Sequence, residues 1–232
     1  MKLGFEIKRY SIAQNQTARL MKILGDHKIN VVFDIGANAG QFGQELRELG
    51  YTNKIVSFEP LSEPHDKLIE LSEEDALWQI APRGAVGEED GEIEINIAGN
   101  SASSSILEMM DSHIKAAPTT KSIGIELVPI RKLDSLANTY LLMDSILFVK
   151  IDTQGYEDKV LNGGIETIKR ATVLQTELSL IELYSGQKLI IEMIEKIREM
   201  GFELWGIEPA FVDSNSGRML QVDAIFCRPN QG

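Results

Sequence analysis

The sequence predicts a three-layer α/β fold, in which helices cover both faces of a mostly parallel sheet and the last strand is antiparallel. Three observations support this prediction. Short, continuous apolar runs alternate with helical patterns, as buried parallel strands do when helices connect them. A small, glycine-containing turn follows the first apolar run. The chain ends in two strand-like segments that flank a polar turn, which is the spacing of a hairpin.

The elements follow one another in a regular order. The expected parallel strands are the apolar runs Val31–Ile35, Ile55–Phe58, Trp78–Ala81, Ile146–Ile151 and Val173–Leu178. Helical patterns lie before and between them, at Ser11–Gly25, Gln41–Leu49, Glu63–Leu71, Tyr156–Ile168 and Leu189–Met200. The hairpin comprises Phe202–Ile207 and Leu220–Cys227 around the turn sequence DSNSGR. Its second strand would run antiparallel to the others.

A single domain over residues 1–232 is the simplest organisation, with a helical N-terminal extension at 1–30 and an insertion at 92–130. Glu92–Ile97 and Ile123–Leu127 alternate polar and apolar residues, as strands with one wet face do. The segment Ala98–Ser122 between them is rich in Ser and Ala and has few apolar anchors. We expect it to be a mobile lid that orders over a ligand.

The composition and charge of the chain limit the kinds of partner that we expect it to bind. The formal net charge of −12 disfavours nucleic acid, because an acidic surface repels a phosphate backbone. No segment approaches the roughly 20 apolar residues that cross a bilayer, so we expect no membrane partner. The first sixteen residues, MKLGFEIKRYSIAQNQ, contain no apolar stretch of signal-peptide length. Together with the single cysteine, Cys227, this predicts a cytoplasmic protein.

The stretch VVFDIGANAGQF, residues 31–42, runs from a strand into a glycine turn and the start of a helix. Such a turn surrounds a ligand with backbone N–H groups and a positive helix end. A dinucleotide site would show G-x-G-x-x-G, whereas here Asn38 separates Gly36 from Gly40. Asp34 would repel a pyrophosphate and favour a cation, such as the ammonium of an amino acid. The pattern therefore disfavours an NAD(P)-dependent oxidoreductase.

The second predicted strand ends at Glu59-Pro60, where an acid can accept hydrogen bonds from ribose hydroxyls. An amino-acid ammonium and a ribose together describe S-adenosylmethionine. The two strand ends therefore predict this cofactor.

Five motifs resemble those of the FkbM-type S-adenosylmethionine-dependent methyltransferases: FDIGANAGQF, SFEP, NSASSSI, RKLDSL and VKIDTQGYEDKVLNGG. The resemblance covers roughly Val31 to Leu178. It implies a Rossmann-like, seven-stranded class I methyltransferase fold and O-methylation of a small-molecule, sugar or polyketide-like hydroxyl. The cofactor-binding residues it suggests, with the strand ends above, are Asp34, Gly36, Asn38, Gly40, Glu59, Pro60, Ser104 and Asp152.

Two acids at later strand ends, Asp152 and Glu177, are the candidate catalytic residues. If their strands are neighbours, both carboxylates face one crevice, where one could act as general base or both could bind Mg²⁺. Each could instead cap a helix or pair with a lysine. Glu157 matches an acidic position of the family that the motifs resemble, and the resemblance implies that it holds the loop. Lys150 lies in a strand that should be buried, so we expect it to have a carboxylate partner.

Other roles stay open from the sequence. His113 in the insertion and His65 at the start of a helix are alternative bases, although histidines are more often solvated. A non-catalytic subunit that keeps the fold is the rival to an enzyme, because fold does not determine function. A homo-oligomer is also compatible with the sequence, which leaves the identity of the acceptor undetermined.

Overall fold

The computed structural model of the protein describes residues 11–229, so the first ten residues of the predicted N-terminal extension lie outside the described residues. Within this range there are ten strands: β1 (Val31–Ile35), β2 (Lys54–Phe58), β3 (Trp78–Ile80), β4 (Ala85–Gly87), β5 (Gly91–Ala98), β6 (Ser122–Lys132), β7 (Leu147–Ile151), β8 (Ala171–Ser179), β9 (Glu203–Val212) and β10 (Met219–Cys227). The helices of the same range are α1 (Gln16–Asp26), α2 (Gln41–Glu48), α3 (Ser62–Ser72), α4 (Asp111–Ala116), α5 (Leu133–Ala137), α6 (Glu157–Gly163), α7 (Ile165–Arg170) and α8 (Ile190–Glu199).

Seven strands form the central sheet in the order β3-β2-β1-β7-β8-β10-β9. Neighbouring pairs from β3 to β8 are parallel, and β10 is antiparallel to both β8 and β9. The predicted Rossmann-like, seven-stranded sheet with an antiparallel last strand is therefore confirmed. The strand order changes direction between β1 and β7, and ligands of open α/β sheets bind at such a switch point.

Apolar side chains cover both faces of the sheet because successive residues of a strand point to opposite sides. Phe33 and Ile35 of β1 belong to a core cluster with α5 to α8, whereas Val32 belongs to a second cluster with α1, α2 and α3. Asn15 caps α1, its side chain accepting a hydrogen bond from the N–H of Ala18 at 2.8 Å. Parallel strands buried on both faces explain the continuous apolar runs of the sequence.

A second sheet, in the order β4-β6-β5, packs beside the first. The two alternating segments of the insertion do form strands, and β5 pairs with β6 antiparallel. The predicted wet face is wrong for β6, where Ile123, Ile125 and Leu127 are 72%, 62% and 57% exposed. Ile125 pairs with Asn96 of β5, and this register places the apolar row on the outer face of the sheet. The buried residues of β6 come later in the strand.

One helix prediction needs correction. The helix expected over Tyr156–Ile168 is two helices, α6 and α7, with a break at Gly164. The segment Ala98–Ser122 contains α4 and two 3₁₀ turns, and Ser103, Ser105 and His113 are buried. Its movement over a ligand stays a prediction. Within residues 11–229, none of the helices has the length and apolar character that a bilayer crossing requires.

Candidate active site

The turn between β1 and α2 has a backbone that demands small residues. Gly36, Asn38 and Gly40 all have positive φ, at 80°, 48° and 85°. A Cβ atom on Gly36 would lie 1.9 Å from the carbonyl oxygen of Asp152, so only glycine fits there. Asparagine tolerates the left-handed region better than most residues, which explains Asn38. The turn and the end of β7 therefore approach each other closely at the switch point.

The N–H groups of this turn are already used within the protein. Those of residues 36–40 all donate at 2.7–3.1 Å: two to the carbonyl of Phe58, one to the carboxylate of Glu59, and two within the turn. A dinucleotide loop keeps such groups free for a pyrophosphate. This turn does not, so the geometry agrees with the glycine spacing in disfavouring an NAD(P) site.

Glu59 connects this turn to the end of β2. It is 5% exposed, and its two oxygens accept hydrogen bonds from the N–H groups of Asn38 (2.8 Å) and Leu61 (2.9 Å). Burial raises its pKa to about 7, although these two N–H groups oppose the rise. Each carboxylate oxygen keeps one lone pair free, so Glu59 can also accept hydrogen bonds from a ligand.

Asp34 lies in a different environment from the one expected. It is fully buried, and the cation beside it is Lys150, whose Nζ is 3.5 Å from Oδ1 of Asp34. The two residues are register partners on β1 and β7, so a lysine ammonium stands where the sequence predicts a ligand ammonium. Burial raises the pKa of Asp34, and Lys150 opposes this rise.

Asp152 and Glu177 lie together at the ends of neighbouring strands. The side-chain amide nitrogen of Gln154 bridges them, donating to Oδ1 of Asp152 at 2.8 Å and to Oε2 of Glu177 at 2.9 Å. Lys150 Nζ donates to the other oxygen of Asp152 at 3.1 Å, and Gln221 also donates to Glu177, at 2.7 Å. The predicted proximity of the two carboxylates is present, although their catalytic roles stay predictions.

The charges in this cluster influence one another. Burial raises the pKa of Glu177 well above its ordinary value, and the carboxylates of Asp152 and Glu157 add to the rise. Burial alone would lower the pKa of Lys150, but the carboxylates of Asp152 and Asp34 outweigh it and the net pKa is raised. Lys150 therefore stays protonated and forms ion pairs with both carboxylates.

Glu157 holds the loop between β7 and α6, as expected. Its Oε1 accepts hydrogen bonds from the N–H groups of Thr153 (2.9 Å) and Gly155 (3.1 Å). Burial raises its pKa to about 7, and Asp152 adds to the rise. The loop presents Gln154 with a φ of 54°, a conformation that few non-glycine residues adopt.

Two cavities open at the carboxyl ends of the strands, and we call them A and B. Cavity A encloses about 70 Å³, and its walls include Gly36, Asn38, Glu59, Pro60, Ala85, Ser104, Ile106 and Asp152. Cavity B encloses about 510 Å³ beneath α1 and α2, and its walls include Thr17, Asn38, Phe42, Glu45, Lys150, Asp152, Gln175 and Asp223. Asp152 is thus at the junction of the two.

Most of the predicted cofactor residues line cavity A: Gly36, Asn38, Glu59, Pro60, Ser104 and Asp152. Asp34, Gly40 and Glu177 line neither cavity. Gly40 acts through the backbone, at the N-cap of α2, and a Cβ there would meet Leu68 and Leu71 at 3.0 Å. Sequence reasoning missed Gln154 and Tyr184; the only signal for Gln154 was its place in the motif VKIDTQGYEDKVLNGG.

The two candidate histidines lie away from both cavities. Nε2 of His65 is 2.9 Å from the carbonyl oxygen of Ala81. His113 is 3% exposed and packs against the rings of Tyr184 and Phe211. Burial lowers the pKa of His113 to about 4. Neither histidine lines cavity A or cavity B, so the structure gives neither one support as the general base.

A bound metal ion requires several oxygen, nitrogen or sulfur ligands at one point. Within residues 11–229, no group of three or more His, Cys, Asp or Glu side chains is arranged to hold a metal ion. A magnesium ion bound by Asp152 and Glu177 would have to replace the amide of Gln154, which now joins them. The magnesium alternative stays a prediction.

Comparisons with known proteins agree with the fold and the motifs. Residues 34–204 match the Methyltransferase FkbM domain. The curated 2-O-methyltransferase NoeI of Sinorhizobium fredii is 27% identical over 169 residues, which are 68% of this chain and 66% of that protein. Among solved structures, the methyltransferase domain of METTL16 matches with a TM-score of 0.50 and 11% identity, over 97% of this chain and 71% of that chain, and so supports the fold alone. Because the domain match spans well over half of its residues, the chain belongs to the FkbM methyltransferase family.

Proposed function

We propose that the protein is an S-adenosylmethionine-dependent O-methyltransferase that acts on a hydroxyl of a small molecule or sugar. The observation that carries the proposal is the position of Asp152, on the wall of both cavities and at the end of the strand next to β1. A group placed there can contact a cofactor on one side and an acceptor on the other. The name of NoeI as a 2-O-methyltransferase supports oxygen as the accepting atom.

Cavity A has the chemistry of a nucleoside site. Glu59 offers free carboxylate lone pairs to ribose hydroxyls, and apolar side chains of Phe58, Ala85 and Ile106 surround the space beyond it. The volume of about 70 Å³ is below the roughly 300–1,000 Å³ of small-molecule sites. Residues 101–106 form one wall, so cofactor entry requires this part of the insertion to move.

The bound cofactor would supply an electrophilic methyl group on a sulfonium. Asp152 would receive the proton of the acceptor hydroxyl as the oxygen forms a bond to the methyl group and the bond between methyl and sulfur breaks, which would leave the sulfur as a neutral thioether. Lys150 and Gln154 each donate a hydrogen bond to Asp152 and so fix the direction of its carboxylate. Orientation of this kind can supply about 7–11 kcal/mol of the barrier reduction in a transfer between two bound groups.

The first test is a calorimetric titration of the protein with S-adenosylmethionine, S-adenosylhomocysteine and NADH. The expected result is binding of the first two and no binding of NADH. An acceptor screen that detects S-adenosylhomocysteine formation then identifies the hydroxyl compound. Binding of NADH alone would overturn the proposal, and cofactor binding without turnover on any acceptor would favour a non-catalytic subunit.

A further inference from the structure

Cavity B has a polar floor made by three neighbouring strands. Lys150 of β7, Gln175 of β8 and Asp223 of β10 all line it. Lys150 and Gln175 are register partners, and Asp223 is two residues from the register partner of Gln175. With strands about 4.8 Å apart, the floor extends about 10 Å from the β7 side to the β10 side. Polar residues on a sheet face that is otherwise apolar require an explanation.

Two of these three residues have unused hydrogen-bonding groups. Asp223 is half-buried, and its carboxylate makes no hydrogen bond or ion pair within residues 11–229. Gln175 is only 6% exposed, and its Oε1 has no hydrogen-bond partner within the same residues. Burial raises the pKa of Asp223 to about 6, and the carboxylate of Asp152 adds to this rise. A buried polar group without a partner costs free energy, so Oε1 of Gln175 favours a ligand that pairs with it. The half-buried carboxylate of Asp223 is accessible from the cavity and can bind the same ligand.

The neighbouring cations are already engaged. Lys150 is paired with Asp152 and Asp34, and Arg19 of α1 is paired with Glu208, the register partner of Asp223. Among residues 11–229, the walls of cavity B therefore carry three carboxylates, Glu45, Asp152 and Asp223, and one ammonium, that of Lys150. A ligand with a positive charge would be attracted into this space, and of these three carboxylates Asp223 is the one without a partner in the part of the chain that the structure describes.

Asp223 is at the acceptor end of the site. It lines cavity B alone, two strands beyond the strand that ends at Asp152, whereas Asp152 borders both cavities. The cationic centres of the cofactor would lie close to Asp152, where the two cavities meet. The volume of about 510 Å³ is within the range of sites for small molecules.

We propose that cavity B is the acceptor site and that it selects acceptors carrying a protonated amine near the reactive hydroxyl, with Asp223 as the partner of the amine. This inference rests on the proposed methyltransferase function and names the class of its substrate: an amino alcohol or amino sugar. In this arrangement Asp152 faces the hydroxyl, Asp223 binds the amine, and Gln175 contributes its amide between them.

The test uses matched probes with the full chain saturated with S-adenosylhomocysteine. The affinities of D-glucosamine and 2-amino-1,3-propanediol are measured by calorimetry against their neutral counterparts, N-acetyl-D-glucosamine and glycerol. The expected result is at least tenfold tighter binding of each amine. Asp223→Asn should remove this preference and leave the affinity for S-adenosylhomocysteine unchanged. Asp66→Asn, at an exposed position of α3, is the matched control and should change neither affinity.

The outcomes separate the inference from the proposed function. If S-adenosylhomocysteine does not bind, the proposed function fails. If it binds but neither amine is preferred over its neutral counterpart, or if the preference persists in Asp223→Asn, this inference alone is wrong. Thermal unfolding of both variants shows whether they are folded, so that a lost preference for amines can be assigned to the binding site.

Discussion

The carboxylates of Asp152 and Glu177 share one hydrogen-bond donor, the side-chain amide nitrogen of Gln154, at 2.8 and 2.9 Å. The carbonyl oxygen of the same amide accepts a hydrogen bond from the hydroxyl of Tyr184 at 2.8 Å. Gln154 therefore links the residue proposed to receive the proton, an acid behind it, and a tyrosine that also contacts the insertion. From this position we predict that Gln154 orients Asp152 for the proposed transfer.

Replacing Gln154 should impair turnover through Asp152. Gln154→Met keeps the length of the side chain and removes the donor, so we expect kcat to fall about 10- to 100-fold, as the loss of a hydrogen bond to a charged group costs roughly 1.5–3 kcal/mol. Gln221→Met is the matched control, because Gln221 donates to Glu177 and not to Asp152. Steady-state kinetics with an identified acceptor measures both. Equal losses in the two variants would assign the effect to Glu177 instead.

Asp152→Asn should abolish turnover and leave the affinity for S-adenosylhomocysteine within a few fold. The amide keeps the shape of the side chain but is a far weaker proton acceptor. Single-turnover assays and calorimetry separate the two effects. A variant with normal turnover would exclude Asp152 as the base.

Chelation provides the control for this prediction. Since an amide donor already satisfies Asp152 and Glu177, we expect EDTA to leave the turnover of the wild-type protein unchanged. Loss of activity with EDTA and recovery with Mg²⁺ would replace the direct base by a metal ion that these carboxylates hold.

The insertion should respond to ligand through Tyr184. Its hydroxyl is 3.0 Å from the carbonyl oxygen of Ser103 and 2.8 Å from Oε1 of Gln154. Tyr184→Phe should therefore accelerate hydrogen exchange of Ala98–Ser122 in the free protein about fivefold to tenfold, for a loss of roughly 1 kcal/mol. Bound S-adenosylhomocysteine should protect the segment in the wild-type protein. Tyr140→Phe is the control, because Tyr140 packs against the main core cluster and not against the insertion's Ser103. Equal protection with and without ligand would contradict a lid.

The parallel strands could be predicted because their signal is local. Every residue of the strand Val31–Ile35 is buried, so the apolar run in the sequence begins and ends where the strand does. The hairpin likewise depends on a turn that the sequence shows directly. The row Ile123, Ile125 and Leu127 could not be placed correctly, because its exposure depends on which residue of β5 each one faces. Period alone does not say which face of a strand is wet.

The site residues at the ends of strands could be predicted from the sequence, whereas the contacts between residues of different strands could not. Asp152 and Glu177 follow from the rule that ligands bind at the carboxyl ends of parallel strands. The contact between Asp34 and Lys150 could not be predicted without knowing that β1 and β7 are neighbours in the sheet. The two residues are 116 positions apart in the sequence. Gln154 is recognisable only when its left-handed backbone and its distant partners are known.

Cofactor affinity should depend on pH through Glu59. Burial raises its pKa to about 7, so the protonated form is substantial near neutrality, and only the ionised form accepts hydrogen bonds at both oxygens. We therefore expect the affinity for S-adenosylhomocysteine to rise as pH rises through about 7 and then level off. Glu59→Gln should flatten this dependence and weaken binding by roughly 1–3 kcal/mol above that pH. Calorimetry at several pH values measures both. An unchanged affinity in folded Glu59→Gln would exclude the ribose contact.

Stability should depend on pH through Glu157. Burial raises its pKa from 4.5 to about 7, so the folded protein holds this proton more tightly than the unfolded chain does. The free energy of unfolding should therefore decrease as pH rises from about 4.5 to about 7, by roughly 3 kcal/mol from this residue.

Two variants separate this charge effect from the loop contacts of Glu157. Glu157→Gln has no charge to bury and keeps an oxygen for the N–H groups of Thr153 and Gly155, so its stability should depend less on pH than that of the wild-type protein. Glu157→Ala loses both hydrogen bonds and should be less stable than Glu157→Gln at every pH, by about 1–3 kcal/mol. Urea unfolding across this pH range gives all three curves. Parallel curves for the wild-type protein and Glu157→Gln would show that the buried carboxylate is not the source of the pH dependence, since Glu59 titrates over the same range in both proteins.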